Sequence, residues 1–343
     1  MTLPPIPVVF EPIFKAKPWG GQRLATLLDK PLPAGQIGES WELVNLPGDE
    51  SHVRDGPLAG VTLGELVQLW GTDLLGTAAL SHGRFPLLLK FLDASQNLSI
   101  QVHPKPAADD PTGRRAGIKH EAWYVLHVDP GAQLFVGLKP GVAADDVLRV
   151  ANTPAMIDVL RVWDAQPGQS YYLPSGTLHA LGAGLVVVEV QTPSDITYRA
   201  YDWGRVGTDG CPRELHVEQA LRNIRYDVTE DTICQPPVPI VGSFGGGTRL
   251  VRCERFVIDL VRPPAGLSHD VPSGSMRVWI VLAGGGRLVR ERCGSLYCCG
   301  FAKGDVVLIP YDSSHTHVEL NADCEWLEVT IPLPGSPPDS PAA

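Results

Sequence analysis

No uninterrupted apolar run in the sequence approaches the roughly 18 residues that a membrane-spanning helix needs. The start lacks the pairing of a charged segment with an apolar one that marks a secretory signal, so a cytoplasmic protein is expected. There is no basic run or basic helix, and the formal charge is −10. That argues against nucleic acid or an anionic membrane surface as a partner. It leaves room for a small anionic ligand, which needs only a few local cations. No Cys-x-x-Cys pair occurs among the seven cysteines, an odd number that includes the adjacent Cys298 and Cys299. Reduced, mostly structural thiols fit this better than a disulfide framework or a Cys-rich zinc site.

What is plentiful is glycine and proline, scattered between short apolar stretches. Strands such as Gly38–Val44, Pro86–Asp93, Glu121–Val128, Leu134–Leu138 and Gly184–Gln191 follow one another with turn signals between them, which suggests an antiparallel barrel or jelly roll. Helical spacing is confined to a few segments. Arg23–Leu28 suits one or two turns. Thr62–Leu75 has Thr62 as N-cap and Glu65 as its capping-box partner. Val142–Leu160 reads as two short helices broken near Pro154. Residues 105–120 read as a polar loop or short helix.

At 343 residues two domains are expected, with Pro236-Pro237-Val238-Pro239 as the linker. This gives a first domain over 1–235 and a second over 236–343, ending in a frayed Pro/Ser-rich tail from Pro332. The second region is again all β. Val306–Pro310 followed by His315 echoes Tyr171–Pro174 followed by His179, a weak internal repeat. The triplets Gly245–Gly247 and Gly284–Gly286 read as turns. Neither opens a helix after a strand, so neither suggests a nucleotide site.

The stretch with most chemical content is Leu98-Ser99-Ile100-Gln101-Val102-His103-Pro104. Alternate side chains of a strand share a face, so Gln101 and His103 project together while Ile100 and Val102 face the other way. A polar face inside an apolar sheet needs partners. A metal, a substrate, or a hydrogen-bonded core His–Gln pair would each supply them. Glu121 and His179 open or precede neighbouring strands. Two imidazoles, a carboxylate and an amide oxygen would suit zinc or another first-row ion.

Ser99–Pro104, with Lys119-His120-Glu121-Ala122-Trp123-Tyr124 downstream, resembles the type I mannose-6-phosphate isomerases, a zinc-dependent family with cupin folds. Trp19-Gly20-Gly21, Gly38-Glu39-Ser40-Trp41-Glu42, Leu173–Ala180 and Ser194–Asp202 extend the resemblance from about residue 10 to about 225, in the short bacterial form. It implies a mainly β chain of two cupin (jelly-roll β-barrel) domains, with a few short helices in and around the first. It implies one zinc ion per chain held by Gln101, His103, Glu121 and His179. Catalytic roles fall on Arg199, Lys119 and Asp195, and substrate contacts on Lys90, Ser99, Lys119 and Arg199. The expected reaction interconverts mannose 6-phosphate and fructose 6-phosphate through a cis-enediol(ate), in a monomer or homodimer. The sequence departs from members that carry Ser or Ala and then His soon after the Gly-Glu-Ser-Trp-Glu run, since Val44 and Asn45 stand here. The rival readings are a non-catalytic metal cupin that binds a sugar phosphate and a metal cupin oxygenase. The first would not need Lys119, Asp195 and Arg199 together. The second is poorly served by a Gln ligand. His315 and His317 lack fitting oxygen partners, so the second domain is expected to be a degenerate cupin without metal.

Overall fold

The computed structural model describes residues 3–78, 80–106, 117–207, 210–242, 244–292 and 294–332. Most of the loop expected over 105–120 and nearly all of the tail expected from Pro332 lie outside the described residues. The chain begins with β1 (Val8–Val9), β2 (Ile13–Gly21), α1 (Arg23–Leu28), β3 (Ile37–Leu43) and the short pair β4 (Asn45–Leu46) and β5 (Asp49–Glu50). Helices α2 (Leu63–Trp70) and α3 (Thr72–Leu75) precede β6 (Leu88–Ala94), β7 (Ile100–Val102), β8 (Glu121–Val128) and β9 (Leu134–Leu138). Helix α4 (Ala144–Val150) and a 3-10 segment over Pro154–Val159 lead into β10 (Leu160–Trp163) and β11 (Ser170–Leu173). Then come β12 (His179–Leu181), β13 (Leu185–Gln191) and β14 (Tyr198–Tyr201), followed by α5 (Val217–Asn223) and α6 (Glu230–Ile233). The remainder is β15 (Val238–Gly242), β16 (Gly245–Arg252), β17 (Val257–Val261), β18 (Ser268–Asp270) and β19 (Arg277–Ala283). It ends with β20 (Gly285–Arg292), β21 (Ser295–Ala302), β22 (Val306–Ile309), β23 (Thr316–Leu320) and β24 (Glu325–Thr330).

The strands form four stacked layers. A five-stranded sheet, β10-β9-β12-β7-β14, faces a six-stranded sheet, β11-β8-β13-β6-β3-β2. Leu134, Val136 and Leu181 of the first pack against Leu92, Val125 and Val187 of the second. The other side of the six-stranded sheet, with Leu89, Phe91, Val186, Val188 and Tyr124, packs on Leu250, Ile258, Val278, Leu308 and Leu327. These belong to a seven-stranded sheet, β1-β22-β19-β24-β17-β16-β15, whose far side meets the four-stranded sheet β18-β23-β20-β21 through Trp279, Trp326, Leu288, Phe301 and Val318. Two central layers therefore have both faces covered. This is why β6 and β13 are buried along their whole length and read as continuous apolar runs. A charged residue in such a run has no solvent to turn to and must find a partner inside.

The β-rich expectation holds, but the jelly-roll barrels do not. Among the described residues no sheet closes. β2 and β11 are free edges of the six-stranded sheet, and β10 and β14 of the five-stranded one. A barrel requires the hydrogen-bond ladder to run unbroken round the ring. Alternation along one strand is the same whether its sheet closes or stacks on another, so the sequence pattern could not separate the two.

Three local expectations also change. The single helix over Thr62–Leu75 is broken at Gly71, whose φ of +48° ends α2, while Thr62 and Glu65 form the expected capping box. Val238 and Pro239, expected in a linker, open β15, which pairs with β16; as an edge strand it tolerates proline. Gly246, Gly247, Gly285 and Gly286 lie in strands rather than turns. A Cβ on Gly286 would stand 2.3 Å from the Glu319 carbonyl oxygen, so glycine there permits close backbone approach.

Candidate metal centre

The site lies between the five- and six-stranded sheets. Register places it: Gln101 pairs with His179 on one side and with Arg199 on the other, so β14, β7 and β12 present three polar side chains in one row. Opposite them, Glu121 opens β8, paired with Gln191 of β13 and Leu173 of β11. His103 follows β7 directly. His103, Glu121 and His179 are all buried, with their ligand atoms within 4.8 Å of one another.

Each imidazole is held from behind. His103 Nδ1 is 2.8 Å from the Ile196 carbonyl oxygen, and His179 Nδ1 is 2.9 Å from that of Thr177. A carbonyl only accepts, so Nδ1 carries the hydrogen and Nε2 keeps its lone pair in the neutral ring. Both Nε2 atoms point at Glu121: His179 Nε2 is 3.1 Å from Oε1 and His103 Nε2 is 3.4 Å from Oε2. Lone pairs facing lone pairs call for positive charge between them, and the Lys119 ammonium supplies it here, 2.5 Å from Glu121 Oε2 and 3.4 Å from His103 Nε2; a divalent ion would supply more. Burial pushes His179 down to about 4, so it is neutral near pH 7. Burial alone would raise Glu121, but the Lys119 ammonium leads the charges that outweigh it and hold the carboxyl well below its usual range. Lys119 Nζ approaches Oε2 at 2.5 Å, yet neither buried oxygen of Glu121 has a hydrogen-bond donor aligned on it. Two inward-facing imidazole nitrogens and a buried carboxylate fit a divalent metal. Gln101 is at the same point, with Nε2 3.3 Å from His179 Nε2 and Oε1 held by the Ser99 hydroxyl at 2.9 Å. Its amide must turn to offer an oxygen.

The remaining expected residues surround this centre. Lys119 also donates toward His103 Nε2 at 3.4 Å. Burial would lower its ammonium, but Glu121 and Glu189 more than compensate, and it stays charged. Lys90 is buried and close to Glu39 (3.7 Å), Glu189 (3.7 Å) and Asp195 (3.4 Å), with Nζ 4.3 Å from the centre of the Trp41 ring. Asp195 is half-exposed at the rim. Arg199 is half-buried, and its Nε lies in the interior without an acceptor. Asp202, the obvious partner in sequence, is taken by Arg205 at 2.6 Å and by both arms of Arg213. Among the described residues Arg199 has no ion pair.

Two buried polar neighbours of the centre escaped the sequence reading. Glu189 and Gln191 alternate along the apolar run Leu185–Gln191, the same i, i+2 pattern that singled out Gln101 and His103. A glutamate in the middle of a buried strand was the available signal. His315 and His317 lie elsewhere, beside a groove of about 670 Å³ with Asp270, Glu291, Arg292 and Ser314. They join no cluster of three ligand atoms among the described residues.

Residues 8–119 match the model of the phosphomannose isomerase type I catalytic domain. Over 322 residues the chain is 30% identical to the mannose-6-phosphate isomerase ManA of Bacillus subtilis (strain 168), covering 93% of this chain and 97% of that protein. A crystal structure of the mannose 6-phosphate isomerase from Bacillus subtilis superposes with a TM-score of 0.82 at 29% identity, over 94% of this chain and 99% of the other. A mannose 6-phosphate isomerase bound with zinc and yttrium shares the fold at 17% identity, with a TM-score of 0.72 over 95% of this chain and 100% of the other. With the paired histidines and glutamate at its centre, the chain belongs to the type I mannose-6-phosphate isomerase family.

Proposed function

We propose that His103, Glu121, His179 and a turned Gln101 hold one zinc ion in this metal-dependent aldose–ketose isomerase, and that Lys119, Asp195 and Arg199 carry out the interconversion of mannose 6-phosphate and fructose 6-phosphate around it. The observation behind the reading is the convergence of two imidazole Nε2 atoms on one buried carboxylate. Two nitrogens and oxygen donors suit zinc. When bound, such an ion supplies Lewis acidity toward the sugar oxygens.

The chemistry moves a proton between C2 and C1 through a cis-enediol(ate), while a hydroxyl proton passes between O1 and O2. Lys119 remains an ammonium, so it donates to a sugar oxygen on which charge develops and does not take the carbon-bound proton. Asp195, paired with Lys90 at 3.4 Å, is the half-exposed carboxylate that accepts and returns the proton. Arg199 has no paired carboxylate among the described residues and offers a planar fork to the substrate's anionic groups. Lys90 and Ser99 are both buried close to these residues. Ser99 holds Gln101, and Lys90 adds positive charge where a phosphate must be accommodated. The two facing sheets exclude bulk water, which strengthens each of these interactions.

The test is a coupled assay of mannose 6-phosphate conversion on protein of known metal content, with and without a chelator. Activity that tracks zinc and returns on adding it back is expected. Full turnover in metal-free protein would refute the reading.

A further inference from the structure

The inner face of the six-stranded sheet carries a file of charges that the metal centre alone does not explain. Trp41, Lys90, Glu189 and Trp123 sit opposite one another across β3, β6, β13 and β8. Glu189, only 4% exposed, divides its two oxygens. Oε2 accepts the Trp123 indole N–H at 2.9 Å. Oε1 lies 3.7 Å from Lys90 Nζ and 3.6 Å from Lys119 Nζ. Lys119 therefore stands between two carboxylates: Glu189, and Glu121 of the centre at 2.5 Å. Lys90 has Glu39 and Asp195 besides Glu189, whereas Glu121 and Glu189 are the acids paired with Lys119 among the described residues.

We propose that Glu189 is a positioning residue for the metal centre: Lys119 Nζ rests on Glu121 Oε2 at 2.5 Å with Glu189 Oε1 3.6 Å away, and Glu189 is the second acid onto which that ammonium shifts when a cation takes the Glu121 oxygen. This rests on the reading of His103, Glu121 and His179 as the metal site. Without the charge of Glu189, Lys119 has one carboxylate left. An ammonium settled on Glu121 Oε2 competes for the oxygen that a cation would take. The Trp123 indole fixes Glu189 in the orientation that serves both lysines, and the same ring meets His179 edge-on at 5.4 Å. Outer partners of metal ligands set affinity by orienting those ligands and setting their charge, and their loss costs about 10- to 100-fold.

The experiment is a double-mutant cycle read by zinc affinity, measured on purified full-length protein by competition with a chromophoric chelator. Glu189→Gln is expected to weaken zinc binding by about 10- to 100-fold. In a Lys119→Met background the same substitution should change it by less than about threefold, because the competitor is gone. Glu189→Asp keeps the charge on a shorter arm and should lose less than Glu189→Gln. Wild-type zinc affinity in Glu189→Gln overturns the proposal. So does an equal loss in both backgrounds, which is what a merely structural glutamate would give. Should Glu189→Gln not fold, Glu189→Asp runs the same cycle with a smaller loss, and the Lys119→Met/Glu189→Gln pair is charge-balanced. His179→Ala separates the two readings. If it keeps zinc, the metal site itself is misassigned. If it loses zinc while Glu189→Gln does not, only the role of Glu189 fails.

Discussion

Arg199 offers the sharpest test of how the site handles charge. Its guanidinium is half-buried beside Gln101, its Nε faces no acceptor, and the nearby Asp202 is satisfied by Arg205 and Arg213. A cation so placed gains its full partner only when an anionic ligand arrives. Burial, with Arg213 adding to it, pulls its pKa below the usual arginine value, yet it remains charged. A unit charge at about 4 Å in surroundings of effective dielectric about 20 interacts by roughly 4 kcal/mol. Half exposure and the repulsion from Arg213 reduce this, giving about 2–4 kcal/mol, or about 30- to 1,000-fold in rate. Arg199→Ala is expected to lower kcat/KM for mannose 6-phosphate by that factor. Most of the loss should fall in kcat if the contact strengthens as charge develops on the reacting sugar, and in KM if it grips the phosphate equally throughout. Arg199→Lys should recover little, because an ammonium lacks the planar fork. Steady-state kinetics on protein with wild-type zinc content and melting temperature decide the matter. An unchanged kcat/KM under those controls removes Arg199 from the active site.

His103→Ala and His179→Ala should each lose both zinc and activity, since each removes one of two imidazoles from the centre; elemental analysis beside the assay checks this, and stoichiometric metal with normal turnover would unseat the ligand assignment. Glu39 is expected to show in acid stability. Burial would raise its pKa, but Lys90 and Lys17 prevail and hold it at about 2, against 4.5 for the free side chain. A carboxyl depressed in the folded state stabilises above the unfolded pKa, and that contribution is lost as pH falls through the folded one. Glu39→Gln should therefore melt below wild type at neutral pH, by up to about 3 kcal/mol, with the gap closing between about pH 4.5 and 2; a gap independent of pH would contradict the pairing. Thr62→Ala removes the α2 capping box, far from the chemistry, and should cost about 1 kcal/mol in denaturant melts with kcat unchanged.

The cluster of His103, Glu121 and His179 was legible because part of its pattern is local and the rest matches a known family. Gln101 and His103 alternate on one strand, and the Glu121 and His179 segments have matches in a known family. Helix caps were legible for the same reason: Thr62 and Glu65 are three residues apart. Sheet closure was not, because it depends on whether β2 meets β11 and whether β10 meets β14, pairings between distant segments to which side-chain alternation is blind. The glycine strands were misread because Gly285 and Gly286 look like turn residues until the neighbouring backbones of β21 and β23 crowd them. Glu189 was passed over because a single acid among valines carries no partner in the sequence. Its partners come from β6, from β8 and from the residue two before Glu121, and only the stacking of layers brings them together.

That stacking also reconciles an acidic chain with a phosphorylated substrate. Net charge governs solubility and long-range encounter and says little about the field inside a cleft. Around the centre, the carboxylates of Glu39, Glu121, Glu189 and Asp195 face the ammonium groups of Lys17, Lys90 and Lys119. The cluster by itself is thus short of positive charge and should bind a sugar phosphate poorly. A divalent ion on His103, Glu121 and His179 would reverse that balance, and Arg199, with no ion pair among the described residues, adds to it. On these terms the metal does more than polarise the sugar: it makes the pocket net positive, so losing it should cost phosphate affinity as well as chemistry. Lys119 connects the two effects, because it is shared between Glu189 and Glu121, the carboxylate that the ion would take.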